Sequence, residues 1–592
     1  MKRCSLVMIM LVAAAVLAPA LSLALAPALA GAQTPRPAAI TVVPAPATAL
    51  PLKHAPEPTT SEITAKDLMT RLYIFADDSM MGREAGTLGN MKGTDYLARE
   101  AKRIGLIPAG DSGTYFQTIP FKTRSLDPAS TVVVGGTPLT LGTDWATAGG
   151  AAVDRSDVPV IFGGTVGDSA SMLPPDQTAG KLVVLRMRAG GGNPRALRGI
   201  ARFAPQAAAV ALVGADQMMG AVGRPQTFLD DPQAASARAG AAGAPPLLIV
   251  SQAAAAKLFP TPLDQLTPGA AGAMVSLKLA TKVEPVPFPA RNVVGIVRGS
   301  DPTLRNEYVA IGAHNDHVGV NARPVDHDSI RIYNHLVRPG GAENSGNQAT
   351  PEQQTQINTM LAEWRSAHPG SARLDSISNG ADDDGSGSVS VLEIAEKMAS
   401  LRTKPKRSIL FVWHVGEEKG LLGAAYFTDH PTVPRDAVVA QLNIDMNGRG
   451  NAWDVTGLSK EGEALRGSPK YLQLVGSRRL STELGDLVEK VNIDGKHGFV
   501  FDYAMDANSH PMNIYCRSDH YEYARYGIPI TFFTTGGHSD YHQVTDEPMY
   551  IDYDRMAHVS NLVHDVAMRV ANLDHRVALS APKPDPRGAC RQ

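Results

Sequence analysis

The sequence predicts an α/β fold in which a mixed, mostly parallel sheet is flanked by helices and interrupted by a β-rich insert. Three observations carry that expectation. Segments 292–297, 308–313, 408–413, 438–444 and 528–533 are almost continuously apolar, as strands covered on both faces must be. Helical spacing lies beside them: after Gly387, the residues Val391, Ile394, Ala395 and Met398 share one face. Between about Leu126 and Pro285 the composition turns to Ala, Gly and Pro, with short strand candidates at 181–187, 208–214 and 246–251.

In chain order, Lys2 and Arg3 precede an apolar run from residue 6 to about 26, which ends in Ala28-Leu29-Ala30 and Ala30-Gly31-Ala32. This pattern reads as a signal peptide over 1–32 with A-x-A cleavage options. Pro19 and Pro27 interrupt the run and no charged stop-transfer segment follows, so a retained membrane anchor is the weaker reading. Export to a periplasm or the medium is expected, with no stable membrane insertion after cleavage. Residues 33–60, rich in Pro, Ala and Thr without periodicity, read as a disordered linker. Thr64 then caps a helix with Leu68, Leu72, Phe75 and Ala76 on one face, and Leu97, Ala101 and Ile104 mark a second helix stopped by Gly105.

The expected domain plan places a catalytic-type α/β domain at 61–125 and 286–575, the insert at 126–285 and a C-terminal tail at 576–592. A chain of 592 residues is too long for one hydrophobic core, in keeping with two folded units. Residues 320–379 form a further insertion. In it, Thr350-Pro351-Glu352-Gln353 is a capping box with proline at the first helical position, followed by Ile357, Met360, Leu361 and Trp364. The remainder, including Asp326-His327-Asp328, reads as loop, with His327 and His335 solvated.

With 44% hydrophobic and 19% charged residues and a formal net charge of -2, the chain has no charge run to suggest nucleic acid or a membrane surface as partner. Signal cleavage would leave Cys516 and Cys590, for which a disulfide is permissible but not implied. Two thiols cannot build a zinc site alone, so any metal must use His and carboxylates.

Such residues cluster at strand ends. His314 and Asp316 follow the strand at 308–313, and a carboxylate beside a metal-binding His commonly fixes its ring. Gly380-Ala381-Asp382-Asp383-Asp384-Gly385-Ser386-Gly387 packs three carboxylates into a turn that opens a helix; the helix N-terminus explains one of them, not three. Glu417 and Glu418 lie just past the strand at 408–413, where alternation allows one to be a ligand and the other a general base. Asp445 ends the strand at 438–444, and Gly537-His538-Ser539-Asp540-Tyr541-His542 follows the last strand. In open α/β sheets ligands bind outside the carboxyl ends of the strands. Gathering Asp383, Glu418 and Asp445 would be repulsive without cations, and two divalent ions offset them. A set of His and carboxylates without thiolate suits two zinc ions, with manganese or cobalt as alternatives.

These motifs resemble the M28 metallopeptidase family, whose members include bacterial aminopeptidases and glutamate carboxypeptidases. The resemblance starts at Phe75-Ala76-Asp77-Asp78-Ser79-Met80-Met81-Gly82-Arg83-Glu84-Ala85-Gly86 and runs through all five metal motifs. It implies the zinc exopeptidase fold, with a protease-associated (PA) domain as the insert. His314 and Asp445 would bind one zinc, Glu418 and His542 the other, and Asp383 would bridge them. Glu417 would be the general base, Asp316 would orient His314, and Tyr541 matches a position that steadies the tetrahedral intermediate. A cis Asp383–Asp384 bond is also implied. Arg517-Ser518-Asp519-His520 resembles a substrate-side loop. The 320–379 insertion is a departure from many members.

The expected function is an exopeptidase acting on peptides or proteins, in the first instance an aminopeptidase. A carboxypeptidase or dipeptidase would need a cationic clamp such as Arg449 or Arg517. An inactive receptor-like binding protein should lack some ligands, whereas all five and Glu417 are present. No G-x-S-x-G elbow supports serine hydrolase chemistry.

Overall fold

The computed structural model describes residues 50–147, 151–168, 172–187, 203–232, 245–369 and 372–592. The expected signal peptide and residues 33–49 of the expected linker lie outside them. The main sheet is built on six strands: β1 (Ala290–Val297), β2 (Tyr308–His314), β3 (Ser408–His414), β4 (Val438–Ile444), β5 (Tyr471–Val475) and β6 (Ile530–Thr534). Their spatial order is β1-β3-β2-β4-β6-β5. The centre is parallel, since β2 pairs with β3 and β4, and β4 with β6, in the same direction. β1 and β5 close it antiparallel on either side. Ile107–Pro108 and Phe116–Ile119 extend the β1 side, and Val500–Asp502 the β5 side. The predicted helix-flanked α/β class with a mixed sheet is the class observed, but the sheet is parallel only at its centre and at the Val500–Asp502 edge, with as many antiparallel pairings as parallel ones rather than mostly parallel.

The apolar runs predicted burial on both faces, and period-two alternation distributes them. Val309, Ile311, Ala313, Ile409, Phe411 and Trp413 face one core, packed with helices Ala65–Phe75, Leu88–Ile104, Gly387–Ser400 and Tyr553–Ala571. Ala310, Leu410 and Val412 face the other, with Phe427 and Tyr523 from helices Leu422–Asp429 and His520–Ala524. Each large apolar side chain buried this way contributes about 1.5–3 kcal/mol.

Helix Ala65–Phe75 begins as expected, with the Thr64 side chain accepting from the Asp67 N–H, and helix Leu88–Ile104 ends on the left-handed Gly105. The chain before it is ordered earlier than the linker expectation allowed. Thr60 donates to Asp67, Thr59 to Glu396 and Tyr73 to the Pro51 carbonyl, so residues 50–60 lie fastened along the helices.

A second sheet of eight strands is drawn from the expected insert, in the order Thr137–Pro138, Thr131–Val134, Ala271–Leu279, Val153–Thr165, Leu182–Arg186, Ala209–Val213, Leu247–Val250 and Trp145–Thr147. All three strand candidates recur here, and the sheet carries its own apolar clusters on both faces. Phe121–Leu126, Gln226–Leu229 and Thr281–Pro285 form a separate three-stranded sheet where the chain leaves and rejoins the main one.

The 320–379 insertion is more ordered than its sequence suggested. Asp326 is not in a loop: its carboxylate accepts the N–H groups of Asp328 and Ser329 and caps helix His327–Val337, an aspartate cap that the loop reading overlooked. His327 is fully buried rather than solvated and stacks on Tyr550, while His335 is half-buried beside Trp453. Helix Pro351–Ala367 forms with its reciprocal Thr350–Gln353 capping box. Cys516 and Cys590 form a disulfide that ties the C-terminal tail to the segment before Arg517. Among the described residues, no helix is long and apolar enough to cross a membrane.

Candidate metal centre

Because β2, β3, β4 and β6 run parallel, the residues at their carboxyl ends emerge at one edge of the sheet. All five expected ligands meet there. His314 Nε2 lies 3.1 Å from Asp383 Oδ1 and 3.7 Å from Asp445 Oδ1. On the other side, His542 Nε2 lies 2.9 Å from Asp383 Oδ2 and 3.0 Å from Glu418 Oε2. The two oxygens of Asp383 thus divide between two groups of donors.

The surroundings hold these side chains in place. His314 Nδ1 is 3.0 Å from the Asp316 carbonyl; donation there leaves the Nε2 lone pair facing Asp383. Asp316's carboxylate is 3.8 Å from that ring, and its Oδ1 accepts instead from Gly416 N–H at 2.7 Å and Glu417 N–H at 3.1 Å. The carboxylate therefore fixes the loop that carries Glu417 and Glu418, while the backbone carbonyl orients His314. Ser518 Oγ donates to Asp445 Oδ2 at 2.7 Å, and Tyr541 stacks on His542 at 3.9 Å between ring centroids.

The three aspartates of the turn have separate tasks. Asp383 points to the centre. Asp384 accepts the N–H of His314 through Oδ2 and those of Gly387 and Met446 through Oδ1, which joins the ends of β2 and β4 to the helix at 387. Those bonds occupy Asp384, so although it lies within ligand distance of His314 and Asp445, Asp383 is the free donor. Asp382 accepts from Gly448 N–H and lies 3.3 Å from His538 Nε2. The Asp383–Asp384 peptide bond is cis.

Charge follows this geometry. Burial alone would push the His314 and His542 imidazoles down. Asp445 and Asp383 beside the first, and Glu418 and Asp383 beside the second, hold both well above their usual range. Burial would raise Asp383 and Glu418, yet the imidazoles keep Asp383 well below the carboxylate range and Glu418 down at about 2. Burial, together with Glu418, Asp445 and Asp519 and against His314, holds Glu417 well above it. Burial also lifts Asp316 to about 7. Asp383 and Glu418 are stabilised as carboxylates by neighbouring positive charge, which is what divalent cations would supply, whereas burial raises the other carboxylate donor, Asp445. The donor set fits such ions: His314 Nε2, Asp383 Oδ2 and Glu418 Oε1 are buried without a hydrogen-bond partner.

Several contributors escaped the sequence. Asp546 accepts the N–H groups of both Asp382 and Asp383. Arg83, fully buried, donates to the carbonyls of Phe75, Asn379 and Gly380 beneath the turn. His317 Nδ1 lies 2.9 Å from Glu418 Oε1. Arg83 belonged to a sequence motif and Asp546 is brought in by folding; His317, which strand alternation from His314 points partly away from the site, faces Glu418 instead because the strand ends at His314.

The peptidase family M28 model matches residues 292–567. Leupeptin-inactivating enzyme 1 of Streptomyces exfoliatus is 34% identical over 100 residues, 16% of this chain and 23% of that protein. Leucine aminopeptidase 1 of Coccidioides posadasii is 40% identical over 89 residues, 14% of this chain and 21% of that protein. The chain thus spans less than a quarter of the length of these relatives. Among solved structures, the aminopeptidase from Aneurinibacillus sp. strain AM-1 aligns over 88% of this chain and 97% of its own, at 15% identity and a TM-score of 0.48. The stretch that resembles peptidase family M28, residues 292–567, is the stretch that carries all five donors.

Proposed function

We propose that this protein is an exported two-zinc exopeptidase, an aminopeptidase that releases N-terminal residues from peptides or proteins. The convergence of His314, Asp383, Glu418, Asp445 and His542 supports this most directly. In this reading His314 and Asp445 hold one ion, Glu418 and His542 the other, and Asp383 bridges, with manganese or cobalt as alternatives. Ions bound there would polarise the scissile carbonyl and bring a water's pKa toward neutrality.

The chain's own groups do the rest. Glu417 takes the water's proton and returns it to the leaving amine, a role worth ~10²–10⁴-fold. Its elevated proton affinity and its tether through Asp316 suit that exchange. Tyr541 steadies the oxyanion. The turn Gly341–Asn344 of the insertion walls the site, since the Ala342 N–H donates to the Tyr541 carbonyl at 3.1 Å. The eight-stranded unit is assigned as the PA-like insert, a lid or docking module, with the boundaries given from the sequence.

Two observations favour the aminopeptidase over a carboxypeptidase. Arg449, one candidate clamp for a substrate carboxylate, is fully buried with its Nη2 2.9 Å from Asp540. Arg517, the other, is paired with Glu343 at 2.5 Å. An inactive binding protein is disfavoured because no ligand and no base is missing. The test is a metal count on purified protein with hydrolysis of aminoacyl-anilides, N-terminally blocked peptides and C-terminally amidated peptides, before and after chelation. Two zinc per chain, loss on chelation and rejection of blocked peptides are expected. Hydrolysis that survives complete metal removal would refute the reading.

A further inference from the structure

We propose that His317 is a ligand of the second ion, so that the two metal positions are chemically unequal. This rests on the two-metal reading above and adds a residue to it. His317 lies three residues beyond β2 and is fully buried. Its Nδ1 lies 2.9 Å from Glu418 Oε1 and 3.7 Å from Asp383 Oδ2, and its ring meets that of His542 edge-on at 5.4 Å between centroids. Donor atoms from His317, Asp383, Glu418 and His542 all lie within 4.8 Å of one another.

Nδ1 of His317 meets only carboxylate oxygens, without a well-aligned hydrogen bond, and Nε2 has no hydrogen-bond partner. A buried imidazole so incompletely satisfied costs free energy that a coordinate bond would recover. The ring is also clamped. Gly380, at φ 55°, lies so close that a Cβ there would come within 2.5 Å of His317 Cγ and 2.3 Å of the Asp383 carbonyl oxygen. On its other side, the His317 N–H donates to the Arg83 carbonyl at 3.2 Å, and Glu84 pairs with His317 in a parallel bridge. The turn that presents Asp383 and the ring of His317 therefore pack as one unit, with Nδ1 directed at Glu418.

The second position then offers two imidazoles and two carboxylates, the first one imidazole and two carboxylates. Imidazole nitrogen suits zinc, whereas oxygen-rich sites suit manganese and magnesium. Zinc should fill the His317 side first, and the His314 side should be the one that exchanges with manganese.

The test uses the full-length protein, stripped with chelator and titrated with zinc alone against a chromophoric competitor. X-ray absorption is recorded at one equivalent. Two imidazoles on the first zinc are expected in the wild type, and one in His317→Ala. Loss of an outer-sphere partner typically costs about 10–100-fold in metal affinity, so removal of a direct ligand should weaken the tighter equivalent by more than ~100-fold. His317→Gln, similar in bulk, controls for packing, and circular dichroism of each stripped protein checks that folding is retained. A single imidazole on the wild-type first zinc, or an unchanged tighter constant in both folded variants, overturns the assignment while two-zinc binding stands. Wild-type protein that binds no zinc would instead remove the proposed function itself.

Discussion

Asp546 offers the sharpest check on how the metal turn is held. Its Oδ1 accepts the Asp382 N–H at 3.0 Å, and its Oδ2 the N–H groups of Asp382 and Asp383 at 3.1 Å. Replacement by Ala leaves two buried backbone donors without an acceptor. At about 1–3 kcal/mol each, the local penalty is ~2–6 kcal/mol. Since ~1.4 kcal/mol is tenfold in an equilibrium constant, even the lower bound multiplies the open population of the turn by roughly 30. Hydrogen exchange of the 378–388 segment in metal-free protein reads that population directly. Asp546→Ala should accelerate exchange of the Asp382 and Asp383 amides by at least ~30-fold and weaken zinc binding; Asp546→Asn, which keeps one acceptor, should fall between. Unchanged protection in the Ala variant would show that Asp546 does not secure the turn.

Glu417→Gln should retain both metals by elemental analysis and lose ~10²–10⁴-fold in kcat on an aminoacyl-anilide, the span typical of a general acid/base. Wild-type turnover would remove Glu417 from that role. Opening the Cys516–Cys590 bridge, whose ends are 74 residues apart, with Cys516→Ser should cost about 4–5 kcal/mol on the loop-entropy account, seen as a lower urea midpoint without reductant. His520 is buried against Phe532, and burial pushes its imidazole down to about 3. A histidine with a depressed folded-state pKa leaves the unfolded chain binding more protons below about 6.5, so stability falls as pH drops from there toward 3. The slope from this group is about 1.4 kcal/mol per pH unit. His520→Phe should flatten the acid limb of urea midpoints measured from pH 7 to 4, and a limb of equal slope would exclude His520 as its source.

The sequence by itself determined the strands and the residues at their ends. Unbroken apolar runs such as 408–413 can only be satisfied by cover on both faces, and parallel strands must deliver the residues at their carboxyl ends to one edge. That is why His314, Glu418 and Asp445 could be grouped before any geometry was known. The two caps differ in the same way: Thr350–Gln353 is a reciprocal pair with a fixed spacing, whereas Asp326 has Ser329 rather than Glu or Gln at the third helical position, so no capping box marks that start. Tertiary structure alone decided the division of labour among neighbours. Asp382, Asp383 and Asp384 are alike in sequence, and only the backbone donors that meet Asp382 and Asp384 leave Asp383 free for the centre. Asp546 lies 163 residues from Asp383, a separation at which no periodicity operates, and His317 lies past the end of its strand, where alternation no longer sets the direction of a side chain. Hydrogen bonds and coordination require approach within about 3 Å, and such approach between distant segments is set by packing of the whole sheet and its helices.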